Sequence, residues 1–172
     1  MKPDEVMFSA TVRAEQARRG SRKSYANAAA KGRFQSAMSD EVIDFIATRN
    51  SAYLATAGAD GQPYVQHRGG PPGFLRVLDL STIAFADYAG NRQYISSGNL
   101  AENERAFLFL MDYDEGRRLK LWGRAHIVAG DRELLARIAD PAYGARIEQA
   151  IVFTVLAWDW NCSQHIPRLV PA

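Results

Sequence analysis

The spacing of apolar residues changes period along the chain. In Ser39 to Ala47, "SDEVIDFIA", Val42, Ile43, Ile46 and Ala47 recur at the three- and four-residue spacing of one helix face. Ser39 or Asp40 can cap that helix, with Asp40 and Glu41 at its positive end. After Asn50 the period drops to two. Ala52 to Ala57 and Pro63 to His67 flank the turn-rich Gly58-Ala-Asp-Gly61 and predict an antiparallel hairpin. Further strands are predicted at Leu75 to Leu78, Thr82 to Ala86, Arg92 to Ser96, Phe107 to Met111, Arg118 to Val128 and Ile151 to Ala157. Short helices fall near Leu100 to Arg105 and near Asp131 to Ile138, the latter capped by Asp131. Nearer the N-terminus, Ser9 to Arg19 reads as a helix stopped by Gly20, with a short second helix before Gly32. Many short strands with few helices between them argue for a mainly β fold with flanking helices, an antiparallel barrel rather than a parallel sheet.

Composition narrows the class. At 172 residues, 47% apolar and 23% charged, the chain can bury a real core as one domain. No apolar run approaches the ~20 residues of a membrane span, and no secretory pattern opens the chain, so a soluble cytoplasmic protein is expected. The single cysteine, Cys162, has no partner for an internal disulfide. Residues 1–37 hold eight Lys/Arg against three Asp/Glu, leaving 13 against 16 in residues 38–172. We therefore expect a basic N-terminal helical arm, 1–37, and one domain, 38–172. No aromatic platform or known nucleic-acid motif accompanies Arg18-Arg19 or Arg22-Lys23, so the arm reads as a solvated or subunit-wrapping segment.

Three stretches carry candidate chemistry. Gln66-His-Arg-Gly-Gly-Pro-Pro-Gly-Phe74 leaves a strand with a permanent cation and becomes rich in glycine and proline, which suits either a phosphate site or a tight turn. Ala86-Asp-Tyr-Ala-Gly-Asn-Arg-Gln93 joins two predicted strands and adds a second arginine, and two guanidinium groups can converge on one anion. Asp159 to Arg168, "DWNCSQHIPR", admits a metal site, a thiol nucleophile, a ligand wall or plain packing. His67, His126 and His165 lack the spacing of a zinc motif, so no metal is expected, and a Cys162–His165 pair has no obvious orienting group. Trp122, Trp158 and Trp160 read as packing.

Taken in order, "YLATAGADGQPYVQHRGG", "FADYAGNRQYISSGNLAENERAFLFLMD", "LKLWGRAHIV" and "DWNCSQHIPR" resemble the FMN-binding split-barrel family typified by pyridoxamine 5'-phosphate oxidase, from about Met38 to Pro167. The first, second and last stretches look like a bacterial subgroup described as oxidase-related. The resemblance implies a six-stranded antiparallel split β-barrel and a homodimer with FMN at the subunit interface. By position it makes Gln66, His67, Arg68 and Gly69 flavin contacts, and Asn91 and Arg92 phosphate-side contacts; Arg68 also faces the phosphate, and Asp87 and Tyr88 belong to the segment that turns round it. It also implies that Asn161, Gln164 and His165 reach the partner's flavin, with His165 the candidate catalytic residue. The oxidase's C-terminal arginine and histidine set is missing from "NCSQHIPRLVPA", which counts against pyridoxamine 5'-phosphate as substrate. The expectation is an FMN-dependent oxidoreductase with an unknown donor, or alternatively a non-catalytic flavin- or haem-binding module.

Overall fold

The protein is described by a computed structural model covering residues 1–161 and 164–167. Its arm contains α1 (Pro3–Met7), α2 (Ala10–Arg18) and α3 (Arg22–Ala30). Ser9 caps α2, its hydroxyl accepting from the Val12 amide, and Gly20 ends it in the left-handed region at φ +79°. The body begins with α4 (Asp40–Ala47), capped by Ser39, which buries Val42, Phe45 and Ile46. It continues with β1 (Ser51–Ala57), β2 (Pro63–Gly69), β3 (Arg76–Asp79), β4 (Thr82–Tyr88) and α5 (Ile95–Glu102). The remaining elements are β5 (Arg105–Asp112), β6 (Arg117–Val128), α6 (Arg132–Ile138) and β7 (Ile147–Trp160).

These strands form one antiparallel sheet in the order β2-β1-β5-β6-β7-β4-β3. The expected mainly β architecture with flanking helices is therefore present, with seven strands rather than six. The seventh is the four-residue β3, and no ladder joins the two edge strands β2 and β3. Strict alternation in β1 and β5 sends Leu54, Leu108 and Leu110 into a core shared with Phe85, Leu121 and Phe153, and the apolar face of α4 packs into it. Gly123 sits at a bulge between β6 and β7, where an added Cβ would lie 2.2 Å from the Thr154 carbonyl oxygen.

The arm is anchored on the far end of β7. Phe8 packs edge-on against Phe34 and Tyr25, Gln35 forms an isolated bridge with Trp158, and Arg33 reaches Asp159 at 3.2 Å. Trp158 and Trp160 are packing residues in fact: the Trp158 indole donates to the Ala37 carbonyl at 2.9 Å, and Trp160 stacks edge-on to Phe45. No helix among the described residues is long and apolar enough to cross a membrane.

Two expectations change. Arg92 to Ser96 is not a strand: Arg92 and Tyr94 are left-handed, at φ 58° and 52°, and the chain turns there into α5. The β-favouring pair Tyr94-Ile95 suggested a strand that these two backbone angles forbid. The helix expected near Leu100 to Arg105 accordingly starts earlier, at Ile95, and β5 already begins at Arg105.

Candidate functional site

The split in the sheet creates the site. β3 pairs with β4 only as far as Ala84, so the end of β4 has a single ladder partner, β7. The end of β2 approaches across that gap, and the N-terminus of α5 covers it. The resulting cleft, of about 180 Å³, is lined by Gln66, Arg68, Asp87, Tyr88, Arg92 and Ser96, with Gly90, Asn91, Tyr94, Ser97 and Glu148 completing it.

Period-two geometry decides which β2 side chains enter. Gln66 and Arg68 share a face and line the cleft, whereas His67 points the other way and meets Tyr53 edge-on at 5.6 Å. Arg68 Nη1 lies 2.5 Å from Asp87 Oδ1, so an ion pair bridges β2 and β4 where backbone bonds do not. The Arg68 Nε is buried and has no hydrogen-bond partner among the described residues, and of the arginine Nε atoms in that state it is the one in the cleft lining. A buried N–H left unpaired costs ~1–3 kcal/mol, which a ligand oxygen or a water would relieve.

α5 brings further donors. Its N-cap, Tyr94, supplies no side-chain acceptor, so the amides of the first turn, including those of Ser96 and Ser97, lack intrahelical partners and carry the positive end of the helix. The Ser96 hydroxyl donates to Gln66 Oε1 at 2.9 Å, and Gln149 Nε2 donates to Asp87 Oδ2 at 2.8 Å and to Ser97 Oγ at 3.1 Å. The Tyr88 ring meets Tyr143 edge-on at 5.2 Å, and burial, helped by Tyr143 and Asp140 and opposed by Arg76, raises its phenol above the ordinary value. Asn91 accepts from the Gln93 amide at 3.1 Å and shapes the turn that exposes Arg92, which has no ion pair among the described residues.

The glycine-rich loop is a tight turn. Gly70 donates to the Asn50 carbonyl, Gly73 to the Arg49 carbonyl and Phe74 to the Pro71 carbonyl, and a Cβ at Gly70 would lie 2.7 Å from Phe74 Cβ. Those amides are used within the fold, and Gly69, paired with Ser51, is not among the cleft residues.

The structure thus gathers Gln66, Arg68, Asp87, Tyr88, Asn91 and Arg92, and leaves His67 and Gly69 outside the cleft. Asn161, Gln164 and His165 are not brought to it within one chain. The Asn161 amide donates to the Arg118 carbonyl, and an Arg118 guanidinium nitrogen lies 3.5 Å from the Gln164 carbonyl oxygen. His165 is exposed and left-handed at φ 61°. β7 spans 14 residues from Ile147 to Trp160, so at ~3.3 Å per residue the two ends are roughly 40 Å apart along the strand. Cys162 and Arg168 lie outside the described residues. Sequence reasoning missed Ser96, Ser97, Tyr94, Glu148 and Gln149; the signal for the serines was a Ser-Ser-Gly sequence directly after a polar turn, where a helix starts.

A family model of pyridoxamine 5'-phosphate oxidase matches residues 38–162, a span that contains every residue of the cleft. The chain belongs to that family. The arm lies before the matched span. Among solved structures, HupZ of Group A Streptococcus is similar at a TM-score of 0.59 and 16% identity, covering 77% of this chain and 100% of that one. A Clostridium acetobutylicum protein of the pyridoxinephosphate oxidase family, related to general stress protein 26, aligns at 0.52 and 15%, covering 75% and 89%. An FMN-binding protein from Syntrophomonas wolfei aligns at 0.51 and 15%, covering 71% and 87%. At such identities the likeness is one of fold. No curated protein sequence matches the chain.

Proposed function

We propose that the protein is an FMN-binding flavoprotein of the oxidoreductase class, with its flavin phosphate held in the cleft at the sheet split. The carrying observation is the donor set there: Arg68 with its buried, unpaired Nε, the unpaired Arg92, and the uncapped first turn of α5. A phosphate dianion suits guanidinium groups and helix amides together. Ser96 and Ser97 add hydroxyls, and the Gln66 amide can read the polar part of the same ligand. Asp87 and Glu148 do not leave the cleft anionic, since Asp87 is paired with Arg68, and Glu148 with Arg146 at 2.8 Å.

At about 180 Å³ the cleft is smaller than the ~300–1,000 Å³ that encloses a drug-sized ligand. It suits the phosphate end of FMN, while the ring system would extend beyond it and need another wall. A second copy of the chain provides one in our reading, its Asn161, Gln164 and His165 reaching a site that they cannot reach in their own chain. Bound FMN would supply two-electron transfer at its N5 position. The chain's part is to orient the cofactor, exclude water and place His165 as the residue able to move a proton.

Haem is the less suitable ligand for this cleft. None of its described lining residues is His, Cys or Met, the side chains that most often hold haem iron. Titrating the purified chain with FMN, followed by flavin fluorescence quenching, tests the reading. Saturable binding at one flavin per chain is expected, and its absence would sink it. Reduction by NADH or NADPH with sustained reoxidation in air would then separate an oxidoreductase from a non-catalytic flavin carrier.

A further inference from the structure

We propose that Asp87 is a positioning residue, which fixes the plane of the Arg68 guanidinium for a phosphate monoester without touching that ligand itself. The proposal rests on the flavin reading above and assigns a division of labour within its site. Arg68 and Asp87 come from strands that share no ladder, yet their side chains meet at 2.5 Å and are only 11% and 12% exposed. The other carboxylate oxygen accepts from Gln149 Nε2 at 2.8 Å, and that amide also lies 3.1 Å from Ser97 Oγ. Both oxygens of Asp87 therefore face donors of the protein.

A carboxylate offers a phosphate no donor and adds a repulsive charge, so direct contact contradicts its chemistry. Its two fixed ends suit another task. A guanidinium is planar, so holding Nη1 in a buried, charge-assisted bond constrains the directions of its remaining N–H groups. The unpaired, buried Nε shows that this arrangement leaves donor capacity free. The chain Arg68, Asp87, Gln149, Ser97 also links β2, β4, β7 and α5, the elements around the cleft. The ordering of a long, flexible side chain is then accomplished on folding rather than on binding.

Simple electrostatics predicts the opposite result on mutation. Asp87→Asn removes a negative charge beside an anion site and, by charge alone, should tighten binding. Positioning predicts weaker binding despite that change. We would measure FMN dissociation constants by fluorescence quenching for the full-length wild type, Asp87→Asn, Arg68→Lys and the double variant, with thermal unfolding as a check on folding. The expected result is a loss of about tenfold or more for Asp87→Asn, the size of one charge-assisted hydrogen bond. In the Arg68→Lys background, which keeps the charge but has no planar fork to orient, the same change should alter affinity by less than about twofold, or improve it. Affinity equal to or above wild type for Asp87→Asn, or an equal loss in both backgrounds, overturns the proposal and leaves the flavin reading standing. A wild type that binds no FMN removes the flavin reading, and this proposal with it. If Asp87→Asn does not unfold cooperatively, Gln149→Ala releases the other end of the carboxylate, and the same pattern across the two Arg68 backgrounds is required of it.

Discussion

Individual residues divide here into those that the backbone demands and those that the ligand would demand. Gly123 belongs to the first kind. With a Cβ only 2.2 Å from a backbone oxygen and 2.5 Å from the Phe153 ring, Gly123→Ala must displace one of two central strands. We expect a loss of at least about 3 kcal/mol, read as a fall in the urea unfolding midpoint. Arg92 belongs to the second. Its side chain is exposed and has no ion pair among the described residues, so Arg92→Ala should leave the unfolding midpoint unchanged and weaken FMN by about tenfold, the lower end for a lost charged donor. Unchanged affinity would remove Arg92 from the phosphate site. Both arginines of the cleft were legible in the sequence, because each stands beside a turn. The role of Asp87 was not: the sequence shows an acid near an arginine-bearing turn, and only the fold brings Arg68 to 2.5 Å from it.

Elements were legible where period and punctuation agreed. The β1–β2 hairpin, the Ser39-capped helix and the Asp131-capped α6 all combine a clear pattern with a capping or turn residue. The failure at Arg92 to Ser96 came where β-favouring Tyr94 and Ile95 stood without a clear period or a punctuating residue, over a stretch that the αL residues Arg92 and Tyr94 turn into a helix start. The β5–β6 turn carries a prediction of its own. Burial alone would raise the Asp112 carboxyl. Hydrogen bonds from the Glu115 and Asp114 amides, together with Arg49 at 2.7 Å, outweigh it and hold the carboxyl below its ordinary value. The folded-state value therefore lies below the unfolded one. The stabilisation is full above the unfolded value of about 3.9 and disappears as pH falls through the folded one. Asp112→Asn should cost about 2 kcal/mol near neutral pH and progressively less as pH falls below the unfolded value of about 3.9, measured by urea midpoints at neutral and acid pH. An equal cost at neutral and acid pH would show that the carboxylate charge is irrelevant to the turn.

At the scale of the whole molecule, α1 packs on β7, while the outer face of β1, β2 and β5 has no cover among the described residues. Tyr53, Ala55, Val65, Phe107, Phe109 and Tyr113 form an apolar surface on β1, β2, β5 and the following turn, with Val65 59% exposed. An exposed apolar surface on a folded chain is a candidate seat for a second copy. It lies on the face of β2 opposite Gln66 and Arg68, so a second copy seated there would approach the cleft from behind the same strand. That arrangement would let a terminal segment some 40 Å along β7 from its own cleft serve the partner's. Phe109→Glu tests it. Phe109 is in register with Lys120 on β6, so a glutamate there gains a cross-strand cation and the isolated fold should survive. At the centre of a subunit interface the same charge would be buried against apolar rings, a cost that dimerisation cannot meet. Light scattering should therefore show a dimer for the wild type and a monomer for the variant, and FMN affinity should fall with dimerisation, because the second wall of the site is lost. A variant that stays dimeric places the interface elsewhere. A monomer that binds FMN as tightly as the wild type shows that one chain suffices, and it would confine Asn161, Gln164 and His165 to a structural role.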